Sequence, residues 1–141
     1  MHRVLQDTDR LCEFPEDSSS KVVVTLQDYR TLQYGTFLND IIIDFYLTYL
    51  YETYLTEEFK GTIHIFSSMF YRRLRNPRLE EDEDLDRVRQ RHRGVAGWTK
   101  AVDLLEKDMI IFPICEHSHW YLVIAIKPRL VTVAKEDRLV S

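Results

Sequence analysis

Residues 109–126, MIIFPICEHSHWYLVIAI, decide the fold, because they contain two apolar runs with a short polar break between them. The runs Met109–Ile114 and His119–Ile126 are rich in β-branched and aromatic residues, which is typical of buried strands. The connection from Cys115 to Ser118 fits a hairpin between antiparallel neighbours. His119 and Trp120 begin the second strand, so a residue type that often serves as a general base stands beside a flat aromatic wall.

Length, charge and cysteine content limit the class of protein. The 141 residues, 45% of them hydrophobic, are enough for one domain with a core. The formal net charge of -4 argues against a dedicated nucleic-acid binder. Only two cysteines, Cys12 and Cys115, are present, which favours a reducing compartment. The polar N-terminus is unlike a signal peptide, and no apolar run approaches the about 20 residues of a membrane helix, so we expect a soluble intracellular protein without membrane contacts.

Local signals upstream of the hairpin predict further elements. A strand is expected at 22–24, and Thr25 with Asp28 has capping-box spacing before a short helix over 26–32. Asn39 is a good N-cap for a helix over about 40–55, which is apolar on most faces and is therefore expected to be central. A short strand at 63–66 and a helix after Ser67 follow. Another short helix is expected around 98–105.

Three segments lack clear apolar periodicity. Residues 1–20 are polar and are expected to be a flexible lead-in. Residues 75–97 hold an acidic block followed by a basic block, which predicts an exposed, mobile charged insertion, with recruitment of a partner as the alternative. Residues 128–141 form a tail without a predicted element. The main domain is accordingly placed at 21–127.

The hairpin offers two kinds of chemistry. If 115–119 is extended, Cys115, His117 and His119 share one face, a pattern that could hold zinc. The alternative is that Cys115 is a buried small hydrophobe and His117 a loop residue. His119 is either a hydrogen-bonded residue at the start of a strand or a general base, and a base needs a nucleophile and an orienting carboxylate. Cys12 lies in the lead-in, and an extended span from Cys115 to His119 is too long for a hydrogen bond.

Four segments together resemble the SUMO/sentrin-specific cysteine proteases. Phe37–Leu47 (FLNDIIIDFYL) is similar to the family's "(W/F)LND-x-I-I-(D/E)-F-(Y/F)" segment, and Ile63–Tyr71 (IHIFSSMFY) is similar to "HIFSSFFY". Trp98–Asp108 (WTKAVDLLEKD) matches "WTKxVDLFEKD", and His119–Leu122 (HWYL) matches the catalytic "HW" strand. Order and spacing agree over about residues 20–127. Phe37 in place of the commoner Trp, and the charged insertion after Tyr71, resemble the divergent subgroup that trims poly-SUMO chains.

The resemblance implies a fold, partners and site residues. The fold is α+β, an incomplete papain-like cysteine protease fold in which the 40–55 helix is central and the hairpin carries the His-Trp motif. His119 would be the catalytic base, Trp120 and Phe37 would wall the tunnel for the Gly-Gly tail of SUMO, and Asp40 would contact a basic patch on the modifier. Partners would be SUMO, SUMO-conjugated proteins or poly-SUMO chains, with no nucleic acid, metal or other cofactor. The nucleus is the expected compartment.

The family's orienting carboxylate, oxyanion-hole glutamine and nucleophilic cysteine have no match here, and Asp137 corresponds to the carboxylate only by residue type. Without a thiolate there is no covalent catalysis, so a truncated chain that is inactive alone is expected. The sequence predicts a SUMO-deconjugating cysteine protease, with a non-catalytic SUMO-binding module and a small zinc-binding protein as alternatives.

Overall fold

The computed structural model describes residues 4–18, 20–77 and 86–131, which fall into two compact units, Met1–Thr56 and Glu57–Ser141. The first unit contains two strands and two helices, in chain order β1 Arg10–Phe14, β2 Val22–Thr25, α1 Leu26–Arg30 and α2 Asp40–Tyr54. The second contains three helices and three strands, in chain order α3 Glu57–Thr62, β3 Ile63–Ile65, α4 Met69–Arg75, α5 Arg87–Thr99, β4 Met109–Glu116 and β5 His119–Ile126. The mixture of helices and sheets confirms the predicted α+β class. None of the helices in these described segments is both long and apolar enough to cross a lipid bilayer.

The first unit is built on an antiparallel pair of strands, β1 and β2, against which α2 packs. The Phe14 ring contacts the rings of Phe45 and Tyr49 edge-on, at centroid distances of 6.2 and 5.7 Å. The capping box before α1 is present as predicted, since the Thr25 side chain accepts from the Asp28 backbone and the Asp28 side chain accepts from the Thr25 backbone. The ring contacts of Phe14 hold α2 against the two-stranded sheet, and the capping box fixes the start of α1.

Two expectations for the first unit are wrong. The expected flexible lead-in, 1–20, contains β1, whose residues pair with β2 further along the chain, a pairing that composition does not reveal. Helix α2 was expected to be central, but none of its residues is fully buried. Its apolar residues surround the axis, whereas the sheet of this unit covers only one side, so Tyr46 remains 58% exposed.

The second unit has a three-stranded sheet in the order β3-β4-β5, with β3 parallel and β5 antiparallel to β4. The strand at 63–66 and the hairpin are therefore confirmed. The core joins this sheet to α4 and α5 through a cluster of four buried side chains, Phe66, Phe70, Val95 and Ile110. The Phe66 and Phe70 rings stack with centroids 3.8 Å apart.

Helix α5 corrects the expectation of a mobile charged insertion over 75–97. Asp86 caps it, because its side chain accepts a hydrogen bond from the Arg89 backbone N–H at 2.8 Å. Val95 is only 2% exposed and anchors the helix in the core. The helix ends at Thr99, so the short helix expected around 98–105 is also misplaced. Residues 78–85 of the insertion and 132–141 of the predicted tail lie outside the described residues.

Two glycines of α5 provide a matched test of this packing. A Cβ on Gly94 would lie 2.8 Å from Cβ of Pro77, whereas a Cβ on Gly97 would meet nothing within 4 Å. We expect Gly94→Ala to lower the free energy of unfolding by about 1–3 kcal/mol through overpacking. Gly97→Ala should raise it by about 0.5–1 kcal/mol, because alanine has the higher helix propensity. Urea denaturation of both variants measures the difference, and equal effects would mean that α5 does not approach Pro77 closely.

Candidate active-site hairpin

The tight turn at the end of the β4–β5 hairpin positions His119 and Trp120. His117 and Ser118 both have positive φ, 51° and 62°, and Glu116 pairs directly with His119. Two left-handed residues form the turn that matches the twist of antiparallel strands. The connection is therefore two residues long, whereas the sequence predicted four. Since His119 is the first residue after this turn, it lies at the turn end of the hairpin.

Alternation along the strands separates Cys115 from His119. Cys115 pairs with Trp120 and Glu116 pairs with His119. Directly paired residues share a face and successive residues alternate, so Cys115 and His119 lie on opposite faces. The expectation that Cys115, His117 and His119 share one face is wrong, because the chain reverses at His117. Among residues 4–18, 20–77 and 86–131, no three His, Cys, Asp or Glu residues are grouped to hold a metal, so the geometry does not support the zinc alternative.

The two cysteines are both exposed free thiols. The reading of Cys115 as a buried hydrophobe is wrong, because the residue is exposed and lies next to the turn of the hairpin, where it pairs with Trp120. Cys115 lies on the face of the hairpin opposite to His119, and Cys12 belongs to the separate β1–β2 pair of the first unit.

A cluster of polar side chains around one carboxylate, that of Glu116, lies beside the turn on the same face as His119. The hydroxyls of Tyr121 and Tyr71 donate to the two oxygens of Glu116 at 2.9 and 3.0 Å, and Arg75 forms an ion pair with the same carboxylate. The hydrogen bonds from Tyr121 and Tyr71, with the charge of Arg75, hold the pKa of Glu116 below its usual range. The hydrogen bond to Glu116 raises the pKa of Tyr121 in turn. These four residues, the Glu116 cluster, tie α4 to the end of the hairpin.

The Glu116 cluster should make stability depend on pH. In the folded protein the pKa of the Glu116 carboxyl is lowered from 4.5. Its contribution to the free energy of unfolding is therefore complete above about pH 4.5 and is lost as the pH falls through the folded pKa. We expect Glu116→Gln to destabilise the protein at pH 7, and the deficit relative to the parent to shrink as the pH approaches 3. Urea denaturation across this range measures it. Glu57→Gln is the control, since its side chain is 90% exposed. A deficit that is constant with pH would contradict the pKa argument.

His119 itself is exposed, and its side chain has no hydrogen-bond partner among the described residues, while Trp120 is half-buried. An exposed imidazole beside the turn of a hairpin can exchange protons with a bound substrate. The structure places His119 and Trp120 beside the turn on opposite faces of β5, and pairs His119 with Glu116, which sequence patterns did not single out.

Phe37 and Asp40 lie at the start of α2 in the first unit. Asn39 fixes this start, because its Oδ1 accepts from the Ile42 backbone N–H at 3.1 Å and its Nδ2 donates to Asp28 at 2.7 Å. Burial raises the pKa of Asp28, but the hydrogen bonds from Thr25 and Asn39 outweigh it, so the pKa lies below 3.8. Phe37 is 73% exposed and Asp40 is half-buried in the first turn. An aromatic residue, Phe37, therefore precedes the cap residue Asn39 in the chain, and a carboxylate, that of Asp40, follows it.

Comparison with known proteins identifies the class to which this fold and hairpin belong. Residues 36–133 match the model of the Ulp1 protease family, C-terminal catalytic domain. The chain belongs to the Ulp1 protease family.

Individual relatives confirm both the family and the subgroup that the sequence resembles. The chain is 40% identical over 126 residues to sentrin-specific protease 7 of Rattus norvegicus and 44% identical over 118 residues to sentrin-specific protease 6 of Mus musculus. These matches cover 87% and 82% of this chain but 12% and 10% of the relatives. The chain therefore spans a small part of the length of these relatives.

Solved structures share the fold. The crystal structure of a de-sumoylating protease matches 81% of this chain and 41% of its own, with a TM-score of 0.65 and 25% identity. The C-terminal Ulp1 protease domain in complex with Smt3, the yeast ortholog of SUMO, matches 76% of this chain and 41% of its own, with a TM-score of 0.55 and 26% identity.

Proposed function

We propose that this chain is the part of a SUMO-deconjugating cysteine protease that supplies the general base and a share of the modifier-docking surface. The observation that carries the proposal is the His119-Trp120 pair. It directly follows the two-residue turn of the hairpin, within the segment matched to the protease family. In the complete reaction a cysteine attacks the amide or isopeptide bond after the modifier's Gly-Gly, and the histidine moves the proton from thiol to leaving amine. The exposure of His119 suits that proton transfer.

We propose docking residues in each of the two units, on the basis of the family resemblance. Phe37 and Trp120 would flank the Gly-Gly tail, since glycine lacks a Cβ and passes between aromatic walls that exclude bulkier residues. Asp40 would meet a basic patch on the modifier. The proposed partners are SUMO, its protein conjugates and poly-SUMO chains, and the proposed compartment is the nucleus. The relatives' names, sentrin-specific protease 6 and 7, support this choice.

The 141 residues alone are expected not to hydrolyse SUMO conjugates. Cys115 faces away from His119 across the hairpin, and a thiol needs an adjacent base to become an effective nucleophile. We expect no release of a fluorophore from the SUMO C-terminus at micromolar protein. Turnover that either Cys12→Ser or Cys115→Ser abolishes would contradict this assignment, and turnover that survives the double change identifies a contaminant.

A non-catalytic SUMO-binding module is the second candidate, and the exposure of Phe37 favours it. Titration of labelled SUMO with the chain separates the two ideas, because docking requires no thiol. We expect chemical shift changes on SUMO at high micromolar chain. No changes at near-millimolar concentration would overturn the docking role of this chain.

A further inference from the structure

We propose that a cleft between α4 and the end of α5 binds an acidic side chain of a peptide, a carboxylate or a phosphorylated residue, together with an apolar neighbour. The cleft is open, has a volume of about 560 Å³, and is lined by Met69, Arg72, Arg73, Asn76 and Trp98. None of these residues belongs to the Glu116 cluster or to the proposed SUMO-docking set. The proposal therefore does not rest on the proposed function.

Two guanidinium groups in the cleft have donors to spare. Arg72 donates from one terminal nitrogen to the thioether sulfur of Met69 at 3.0 Å, and sulfur is a weak acceptor. Arg73 donates its Nε to the Gly94 carbonyl at 3.3 Å, which leaves its two terminal nitrogens for a ligand. Among the residues that the structure describes, neither arginine forms an ion pair with a carboxylate, whereas the neighbouring Arg75 does. Paired guanidinium forks match carboxylate and phosphate oxygens.

The remaining walls provide an apolar surface and an amide. The Trp98 ring lies 5.9 Å from the Phe70 ring, centroid to centroid, yet the residue is 43% exposed. The indole therefore contacts the core while part of it stays exposed, and Met69 lines the same cleft. Asn76, which also lines the cleft, caps α4, where its backbone N–H donates to the Arg72 carbonyl at 3.0 Å. A residue pair with one acidic and one apolar side chain satisfies both kinds of wall.

Close helix packing forms the cleft before any ligand arrives. Pro77, just after α4, packs so closely against Gly94 of α5 that a side chain on Gly94 would clash with it. Arg73 donates to the carbonyl of the same glycine. Binding then costs little ordering of the backbone, which favours affinity.

The charge of the two helices selects an anionic partner. The chain has a net charge of -4, yet α4 and α5 carry seven arginines, namely Arg72, Arg73, Arg75, Arg87, Arg89, Arg91 and Arg93. A peptide is favoured over a nucleic acid because the cleft combines two arginines with an apolar wall, whereas nucleic-acid binding relies on a row of phosphate contacts.

Fluorescence anisotropy and NMR with the full chain test the proposal. The probe is a fluorescein-labelled peptide, Gly-Ser-Glu-Asp-Phe-Gly, and a second probe carries phosphoserine in place of the aspartate to distinguish the carboxylate from the phosphate. The matched pair of double variants is Arg72→Gln/Arg73→Gln in the cleft and Arg87→Gln/Arg91→Gln on exposed positions of α5, since both remove two positive charges. We expect at least a tenfold loss of affinity for the first and less than threefold for the second.

A spectroscopic readout locates the bound peptide. The chain has two tryptophans, so the Trp98 indole N–H signal is assigned by Trp98→Phe, and it should shift more than that of Trp120. Equal losses in the two double variants, an unshifted Trp98 signal, or equal affinity for an oligothymidylate of the same charge would overturn the proposal. Circular dichroism confirms that each variant is folded.

Discussion

Phe70→Ala is expected to lower the free energy of unfolding by about 3–5 kcal/mol, because it removes the ring at the centre of the second unit's core. Phe70 is 6% exposed and stacks on Phe66, with Phe112 at a centroid distance of 5.8 Å on another side. Because the other three members of the cluster, Phe66, Val95 and Ile110, come from different segments of the chain, removal of the ring leaves a cavity among them. Urea denaturation followed by far-ultraviolet circular dichroism measures the loss.

Phe59→Ala is the matched control, because this phenylalanine belongs to the same unit but is 56% exposed. Its truncation should change the free energy of unfolding by less than about 1 kcal/mol. Similar losses for the two variants would mean that the aromatic cluster does not form the core of this unit.

Trp120→Ala should weaken SUMO binding by about 30-fold, roughly 2 kcal/mol, if Trp120 walls the path of the Gly-Gly tail as proposed. Asp40→Asn should weaken it by no more than about fivefold, since an exposed charge pair contributes at most about 1 kcal/mol. Titration of labelled SUMO at two salt concentrations compares the variants. Only the Asp40 change should alter the salt dependence, because salt screens charges and not ring contacts.

Phe59→Ala again controls for loss of an exposed ring outside the proposed docking residues. Binding that is insensitive to both the Trp120 and the Asp40 changes would show that SUMO does not dock as in the assigned geometry. Weakening by Phe59→Ala to the same extent would point to nonspecific apolar contact.

Local signals in the sequence were sufficient for the elements that carry the candidate site. The Asn39 cap predicted the start of α2, and the capping box predicted the start of α1. Apolar runs predicted β3, β4 and β5, since each strand has its own continuous pattern. His119 and Trp120 followed from the hairpin, although their relation to the turn required the register.

Elements that depend on distant partners were missed. Strand β1 lies in a largely polar stretch of sequence and pairs with β2, and α5 is dominated by charge while a single one of its side chains, Val95, is fully buried in the core. The Glu116 cluster joins residues 41 and 45 positions apart, so no window of sequence contains it. Periodicity reports the average surface of an element, whereas these features depend on particular contacts with other parts of the chain.

The register of the three-stranded sheet implies an order of folding. Strands β4 and β5 are joined by a two-residue turn, so their pairing closes almost no loop and is expected within about 1–10 μs. Strand β3 pairs in parallel with β4, Ile63 opposite Met109, and must wait until the intervening chain with α4 and α5 has been brought back, a non-local step that slows folding. Substitutions in the hairpin should therefore change the rate of folding, whereas substitutions in β3 should mainly change the rate of unfolding.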